Sequence, residues 1–244
     1  MSRQTIPRPS WARRIEPPVD GLDFADPAME LTMGAVREAF AAGAPAPCIR
    51  RVAGATGEPG AVGAAVHAGA AVLVALVPCD ESGSDSAASV VLIRRAAHLR
   101  ANPGEIAFPG GRIEPGEDPL ATALREAEEE VALPADAVEA LGELPLVHAV
   151  RGWVRILPFV AAAPLRPALE ANPAEVDCIL VVPLAELVAP GRYWQERWDR
   201  AEGPAWTMHF FDLGEDVIWG ATAGMLHALF LRLLRPCVSL PVPP

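Results

Sequence analysis

The clearest hydrophobic period in the chain lies between Pro119 and Leu133. The apolar positions of this stretch, Leu120, Leu124, Ala127 and Val131, follow the i, i+4, i+7, i+11 spacing of one helix face. Asp118 suits the N-cap, and Pro119 suits the first helical position. Pro134 cannot continue a helix interior. The pattern therefore predicts a helix from Pro119 to Leu133 with one buried face.

The polar positions of the same stretch form a second face. At roughly 100° per residue, Glu126, Glu129 and Glu130 fall within one sector, opposite the apolar residues. Like charges at this spacing repel by a few tenths of a kcal/mol, and a bound cation would relieve that repulsion. Carboxylate oxygens are ligands that Mg²⁺, Mn²⁺ and Ca²⁺ prefer. A solvated helix face is the alternative interpretation of such a cluster.

The remaining pattern predicts strands with short helices between them. Predicted strands are 70–77, 89–94, 106–108, 138–144, 154–161, 178–182 and 209–213, and predicted helices are 28–42, 184–188 and 220–234. Mixed strands flanked by helices predict an α/β fold, an α/β/α sandwich around a mixed β-sheet. We expect an N-terminal extension with a short helix at 1–47, the main domain at 48–235 and a tail at 236–244.

Three segments are expected to lie outside regular elements. Residues 1–27 are proline-rich and predicted to be extended, and 79–88 are predicted to form a mobile acidic loop. Residues 190–207 are polar and carry four aromatic side chains, so we expect an irregular segment there. Its tryptophans are interpreted as covering an apolar surface or a dimer contact, with stacking on an adenine as the alternative.

Composition narrows the function classes. The formal net charge of −11 argues against non-specific binding to nucleic acid. All basic residues are arginine, which excludes a lysine Schiff base or lysine general base. The four cysteines form no C-x-x-C pair, so no zinc or redox motif is indicated. With neither an apolar signal region nor a membrane span evident, we expect a cytoplasmic protein.

The spacing of the charged residues is specific. Gly111, Glu117, Arg125–Glu126 and Glu129–Glu130 resemble the Nudix box, G-x5-E-x7-R-E-U-x-E-E-x-G-U with U aliphatic. Every charged position matches. Ala127 stands where a bulkier aliphatic residue is common. Ala132 replaces the last glycine, and alanine tolerates a positive φ poorly.

The sequence before the box is similar to one branch of that family, the coenzyme A pyrophosphatases. Arg95, Leu99, Arg100, Gly104 and the run 108–111 match the branch pattern, whereas Ala96 and Asn102 stand where serine and histidine are usual. Segments 172–176, 182–184 and 218–223 also look like this branch, so the similarity covers roughly residues 68–235.

The resemblance implies a metal site for Mg²⁺ or Mn²⁺. It implies Glu126 and Glu130 as the main ligands, Glu129 as a further ligand or catalytic base, and the carbonyl of Gly110 as a backbone ligand. Gly111 lets the backbone approach closely. Arg125 and Glu117 are expected to form a supporting ion pair.

Catalytic and substrate candidates follow from the same comparison. Glu175 is a candidate general base or extra ligand, with a solvated strand-edge glutamate as the alternative. Substrate-binding candidates are Arg95, Arg100, Gly104 and Phe108, with Arg94 as a third arginine that also suits the surface. Phe108 is more typical of a core residue than of a substrate contact. His98 is expected near the site or merely exposed.

The implied activity is metal-dependent hydrolysis of a diphosphate, with coenzyme A or its thioesters cleaved to 3′,5′-ADP and 4′-phosphopantetheine. The enzyme alternative is a hydrolase of ADP-ribose, NADH or nucleotides. A Nudix-fold binding or regulatory module without hydrolysis is the alternative from another class. The sequence indicates no membrane or nucleic-acid partner and leaves a homodimer open.

Overall fold

The computed structural model describes residues 6, 8–10, 12–15, 31–41, 69–80, 85–149, 154–199 and 205–234. The strands are β1 (Arg13–Ile15), β2 (Ala70–Pro78), β3 (Ala88–Arg95), β4 (Ile106–Ala107), β5 (Gly110–Arg112), β6 (Glu139–Glu143), β7 (Val147–His148), β8 (Arg155–Ala162), β9 (Val176–Pro183), β10 (Tyr193–Trp198), β11 (Trp206–Asp212) and β12 (Val217–Ile218). The helices are α1 (Met33–Ala41), α2 (Pro119–Val131), α3 (Leu184–Leu187) and α4 (Gly220–Leu234), with a 3-10 turn at Ala135–Ala137.

Strand β2 is central in an eight-stranded mixed sheet. It runs parallel to β8 over Ala70–Leu76 and antiparallel to β3 and β5. Strand β9 pairs with the other side of β3. The β2 sequence is apolar at successive positions because both of its faces are buried.

Helices cover both faces of this sheet. Ala123, Ala127 and Val131 of α2 are fully buried with one set of sheet residues, and α1 and α4 pack on the opposite face. The predicted α/β/α sandwich is therefore confirmed. Helix α1, which the sequence assigned to an N-terminal extension, contributes Met33 and Val36 to the same core as the sheet.

A second sheet corrects the prediction for residues 190–207. Strands β1, β10, β11 and β12 form a four-stranded antiparallel sheet. The irregular segment expected there is wrong, since β10 pairs with β11 over its whole length, from Tyr193 to Trp198. The strand was missed because it contains the polar residues Gln195 and Glu196. Both are buried, and hydrogen bonds satisfy their side chains. Trp194 stacks on Phe210, with ring centroids 5.0 Å apart, so it covers an apolar surface as predicted.

Smaller differences concern element ends. The glycine run after Phe108 is not only a turn, because Gly110–Arg112 forms β5 and pairs with β2. Predictions for most of residues 1–30, for 81–84 of the acidic loop and for the tail at 236–244 fall outside the described residues. In the described part of the chain, no helix combines the length and the apolar character that crossing a membrane requires.

Candidate active site

Helix α2 begins at Pro119 as its sequence predicts, but it ends at Val131, two residues before the predicted Leu133. The side chain of Asp118 accepts hydrogen bonds from the backbone N–H groups of Leu120 and Ala121, at 3.0 and 3.1 Å. At the other end Ala132 adopts a left-handed conformation, with φ of 54°. Its N–H donates to the carbonyl of Glu128 at 3.0 Å. The missing glycine of the Nudix-box pattern therefore leaves an alanine in a conformation that favours glycine.

Two glycines bring β5 against its neighbours. A Cβ on Gly110 would lie 2.5 Å from the carbonyl oxygen of Ala71 and 2.6 Å from Cα of Val72. A Cβ on Gly111 would lie 2.2 Å from a carboxylate oxygen of Glu126. Neither position has room for a Cβ, and Gly111 thereby lets the Glu126 carboxylate of α2 lie directly against the β5 backbone.

Glu130 is the buried carboxylate of the site, with only 1% of its surface exposed. Its Oε2 accepts a hydrogen bond of 2.9 Å from the N–H of Gly110. Its Oε1 is buried and has no hydrogen-bond partner among the described residues. Nη1 of Arg95 lies 3.8 Å from this oxygen. Burial raises the pKa of Glu130 to about 7, although the Gly110 N–H and the Arg95 charge oppose that shift.

Arg125 gathers the other acidic side chains of the box. Its guanidinium donates to Glu117 at 2.9 and 3.3 Å, and its Nη1 lies 3.0 Å from Glu126 and 3.1 Å from Glu129. The hydrogen bonds from Arg125 hold the pKa of Glu117 down at about 2. Burial raises the pKa of Glu126, against the nearby Arg125 charge. The structure thus brings together every charged residue of the box.

The three glutamates predicted on one face have different environments. The side chains of Glu130, Glu126 and Glu129 are 1%, 16% and 56% exposed. Glu130 lies beside the core stripe of α2, Glu126 lies against Gly111, and Glu129 faces solvent. Helix periodicity predicted the shared sector but not this gradient, which depends on the covering strands.

A turn at 172–175 closes one side of the site. The N–H of Asn172 donates to the carbonyl of Glu130 at 3.0 Å, and the N–H of Ala96 donates to the carbonyl of Glu175 at 2.8 Å. Glu175 is exposed, and its charge contributes to the raised pKa values of Glu126 and Glu130. His98 lies next to this turn, with Nε2 3.0 Å from the carbonyl oxygen of Ala174.

The substrate candidates separate into distinct positions. Arg95 faces Glu130, whereas Arg100 is exposed on the 96–105 loop. Gly104 has φ of 69° and donates to the carbonyl of Arg95 at 3.0 Å, so it shapes this loop. Phe108 is 2% exposed within the main core, as its alternative interpretation had it, and we propose no substrate contact for it.

Two further residues of this region have structural explanations. Asn102 has φ of 51°, in the left-handed region where asparagine is enriched. Arg94 donates to Asp177 at 3.2 Å and also pairs with Asp216, so it is engaged by protein carboxylates. Sequence reasoning missed Asp177 and Asp216, because no local motif connects them with an arginine 83 and 122 positions away.

The side chains of the site are of the type that binds a hard cation. The carboxylate oxygens that such ions prefer come from Glu126, Glu129 and Glu130. Oε1 of Glu130 has no hydrogen-bond partner among the described residues, and the Glu126 carboxylate lies against Gly111. In this conformation, however, no three Asp, Glu, His or Cys side chains of the described residues are arranged to hold a metal. In the same conformation, Nη1 of Arg125 contacts both Glu126 and Glu129.

The chain is similar to known proteins of one family. The family model described as NUDIX domain matches residues 69–206. Proteins described as uncharacterized Nudix hydrolase NudL are similar to the chain. The relative from Enterobacter sp. (strain 638) is 37% identical over 67% of this chain and 82% of its own length. Those from Cronobacter sakazakii and Escherichia coli (strain K12) are 38% and 35% identical, over 67% and 68% of this chain and 82% and 83% of their own lengths.

Solved structures of Nudix proteins overlap the chain in part. RenU, a Nudix hydrolase from M. smegmatis, is 25% identical and has a TM-score of 0.40, covering 50% of this chain and 73% of its own. A MutT/nudix family protein from Enterococcus faecalis is 20% identical and has a TM-score of 0.47, covering 68% and 61%. These overlaps are too partial to add to the assignment. The family match and the NudL relatives carry it: the chain belongs to the Nudix family of hydrolases.

Proposed function

We propose that this Nudix hydrolase cleaves the diphosphate of coenzyme A or an acyl-coenzyme A, with Mg²⁺ or Mn²⁺ bound by Glu126, Glu129, Glu130 and the carbonyl of Gly110. The observation that carries the metal assignment is the Glu130 carboxylate. One of its oxygens is buried and lacks a hydrogen-bond partner among the described residues. Such an oxygen is costly unless a cation or donor meets it.

The acidic cluster supports a cation in preference to a bare anionic substrate. Besides burial, which is the larger cause, the charge of Glu175 raises the pKa of both Glu126 and Glu130, so a diphosphate alone would be repelled. When bound, a divalent metal supplies charge neutralisation, orientation of the phosphates and a more acidic bound water. The chain's own part is to hold the ligands rigidly, and the Arg125–Glu117 pair stabilises α2 for that task.

Arg95 is the proposed contact to the substrate phosphates. Its guanidinium faces the site near Glu130 and is 21% exposed, so it is reachable from solvent. Arg100 on the same loop is exposed and offers a second cation. Coenzyme A carries a 3′-phosphate besides its diphosphate, and two arginines match this extra charge through bidentate hydrogen bonds. The likeness of residues 91–111 to the coenzyme A branch supports the same substrate.

The test is metal-dependent hydrolysis of a substrate panel. Coenzyme A, an acyl-coenzyme A, ADP-ribose, NADH and a nucleoside triphosphate would each be incubated with Mg²⁺, with Mn²⁺ and with a chelator. We expect the highest kcat/KM with the coenzyme A substrates and no turnover with chelator. A preference for ADP-ribose, NADH or nucleotides would replace the substrate assignment. No turnover of any substrate would favour a binding module.

Substitution would show which of two glutamates, Glu129 or Glu175, is the general base. Glu129, itself a proposed ligand, is exposed beside Glu126 and Glu130, and Glu175 is exposed on the 172–175 turn. Glu129→Gln and Glu175→Gln would be compared for kcat and for Mn²⁺ affinity. A base loses kcat with little change in metal affinity, whereas a ligand loses both.

A further inference from the structure

Two neighbouring arginines at the end of β3 point to opposite faces of the sheet. Leu92 belongs to the core shared with α1 and α4, and Ile93 belongs to the core shared with α2. By strand alternation, Arg94 follows Leu92 and Arg95 follows Ile93. Their contacts agree, since Arg94 pairs with Asp216 of the second sheet and Arg95 faces Glu130 of α2.

Arg94 is held from two elements. Its Nη1 donates to Asp177 of β9 at 3.2 Å, and its Nη2 pairs with Asp216 in the turn between β11 and β12. The side chains of Arg94 and Asp216 are only 20% and 14% exposed. The turn that carries Asp216 is itself closed, because the N–H of Leu213 donates to the carbonyl of Asp216 at 2.9 Å. Arg94 therefore connects the second sheet to β3, where the next residue, Arg95, faces α2.

Asp177 lies where the pairing of β3 with β9 is irregular. Arg94 opposes Cys178, but Arg95 opposes Val176, so Asp177 is the extra residue of a bulge. A bulge bends its strand and changes the direction of the neighbouring side chains. The ion pair from Arg94 to Asp177 fixes the bulged residue itself. The backbone of Arg95 is then held on the other side of β3 by the N–H and carbonyl groups of the 104–105 loop.

We propose that Arg94, clamped by Asp177 and Asp216, is a positioning residue that fixes this bulge and thereby places the Arg95 guanidinium opposite the glutamates of α2. The proposal rests on the proposed function in that Arg95 is taken to contact the substrate. A misplacement of about 1 Å in such a group costs up to about a hundredfold in rate, so a partial loosening should cost about tenfold.

A double-substitution cycle tests this action through Arg95. We expect Arg94→Gln to lower kcat/KM on the preferred substrate about tenfold. In an Arg95→Gln background the same substitution should change kcat/KM less than about twofold, because the group it positions is absent. Its effect on the melting temperature should be equal in both backgrounds. A full tenfold loss in both backgrounds would show that Arg94 does not act through Arg95.

Matched variants separate positioning from simple loss of charge. Asp216→Asn should reproduce the direction of Arg94→Gln, and Arg94→Lys should recover part of the lost activity. These two variants also keep the test open if Arg94→Gln unfolds. Arg37→Gln, which removes the exposed pair with Glu139 on another part of the sheet, should leave kcat/KM unchanged. Wild-type activity in both Arg94→Gln and Asp216→Asn would overturn the proposal.

A spectroscopic readout keeps this test independent of turnover. The Nε–H signal of Arg95 in the ¹H–¹⁵N spectrum would be identified by its loss in Arg95→Gln. We expect Arg94→Gln to shift it in the substrate-free protein and Arg37→Gln to leave it in place. If the wild-type chain cleaves no diphosphate, the proposed function fails while this shift still supports the positioning role. An unmoved signal would refute the positioning role whatever the substrate is.

Discussion

At the scale of single residues, the sequence predicts the position of Glu130 but not its environment. Its identity and its helix sector are readable from the sequence, because helix geometry places it near Glu126. Its burial is not, because the covering group is the backbone of Gly110, 20 positions earlier. The pKa that is raised to about 7 is therefore a property of the assembled fold and not of the box motif.

Ala132 provides a prediction about stability at the same scale. It adopts φ of 54° where glycine has no steric penalty. Ala132→Gly should raise the free energy of unfolding by about 1 kcal/mol, measured by urea denaturation. The control is Ala121→Gly, an exposed position with ordinary helical geometry, which should lower it by about 0.5–1 kcal/mol. A loss of stability in Ala132→Gly similar to that control would contradict the strain interpretation.

At the scale of elements, the sequence predicted α2 well because its signals are local. The N-cap, the first-turn proline and the buried stripe all lie within the helix or next to it. The strand β10 was not predicted from its sequence, because one of the partners that satisfy its buried polar residues is distant in the chain. Glu196 is acceptable inside a strand since Arg8, 188 positions away, and the indole N–H groups of Trp194 and Trp198 satisfy it.

Because β5 packs between β2 and α2, its two adjacent glycines should respond differently to substitution. The space beside Gly110 is limited by the β2 backbone, whereas the space beside Gly111 is limited by the flexible end of Glu126. Gly110→Ala should therefore destabilise the fold, with a melting temperature several degrees lower, or prevent folding. Gly111→Ala should keep a near-normal melting temperature and lose activity, because it displaces the Glu126 carboxylate. Equal melting temperatures for the two variants would contradict this difference.

At the scale of the whole molecule, the chain joins an α/β/α sandwich to a second sheet that includes an N-terminal strand. The sandwich was predictable from hydrophobic pattern alone. The second sheet was not predictable from that pattern. Its strands β1 and β10 pair across about 180 residues, and both have polar residues at successive positions. Arg8 and Arg14 lie over the rings of Phe210 and Trp194, at 5.5 and 5.7 Å from their centroids. The two arginines of the N-terminal segment thus cover aromatic side chains of the second sheet.

Substitution of Arg8 tests how much the N-terminal segment contributes to stability. Its guanidinium lies 2.6 Å from Oε1 of Glu196, a nearly buried carboxylate. Arg8→Ala should lower the free energy of unfolding by about 1–2 kcal/mol, a value reduced by the partial exposure of Arg8. Arg197→Ala is the control, because its pair with Asp199 is more than half exposed and should contribute less than about 0.5 kcal/mol. Equal losses in the two variants would show that the Glu196 contact adds nothing special.

The most direct test of the central claim compares two glutamates of α2. Glu130→Gln removes the proposed buried ligand, and Glu128→Gln changes an exposed glutamate of the same helix. With Mg²⁺ or Mn²⁺ and the preferred substrate, Glu130→Gln should lower kcat by more than about a hundredfold, since even the partners of metal ligands contribute 10–100-fold. Glu128→Gln should stay within about twofold of wild type, and both variants should keep the wild-type circular dichroism. Near-normal turnover in folded Glu130→Gln would contradict the account.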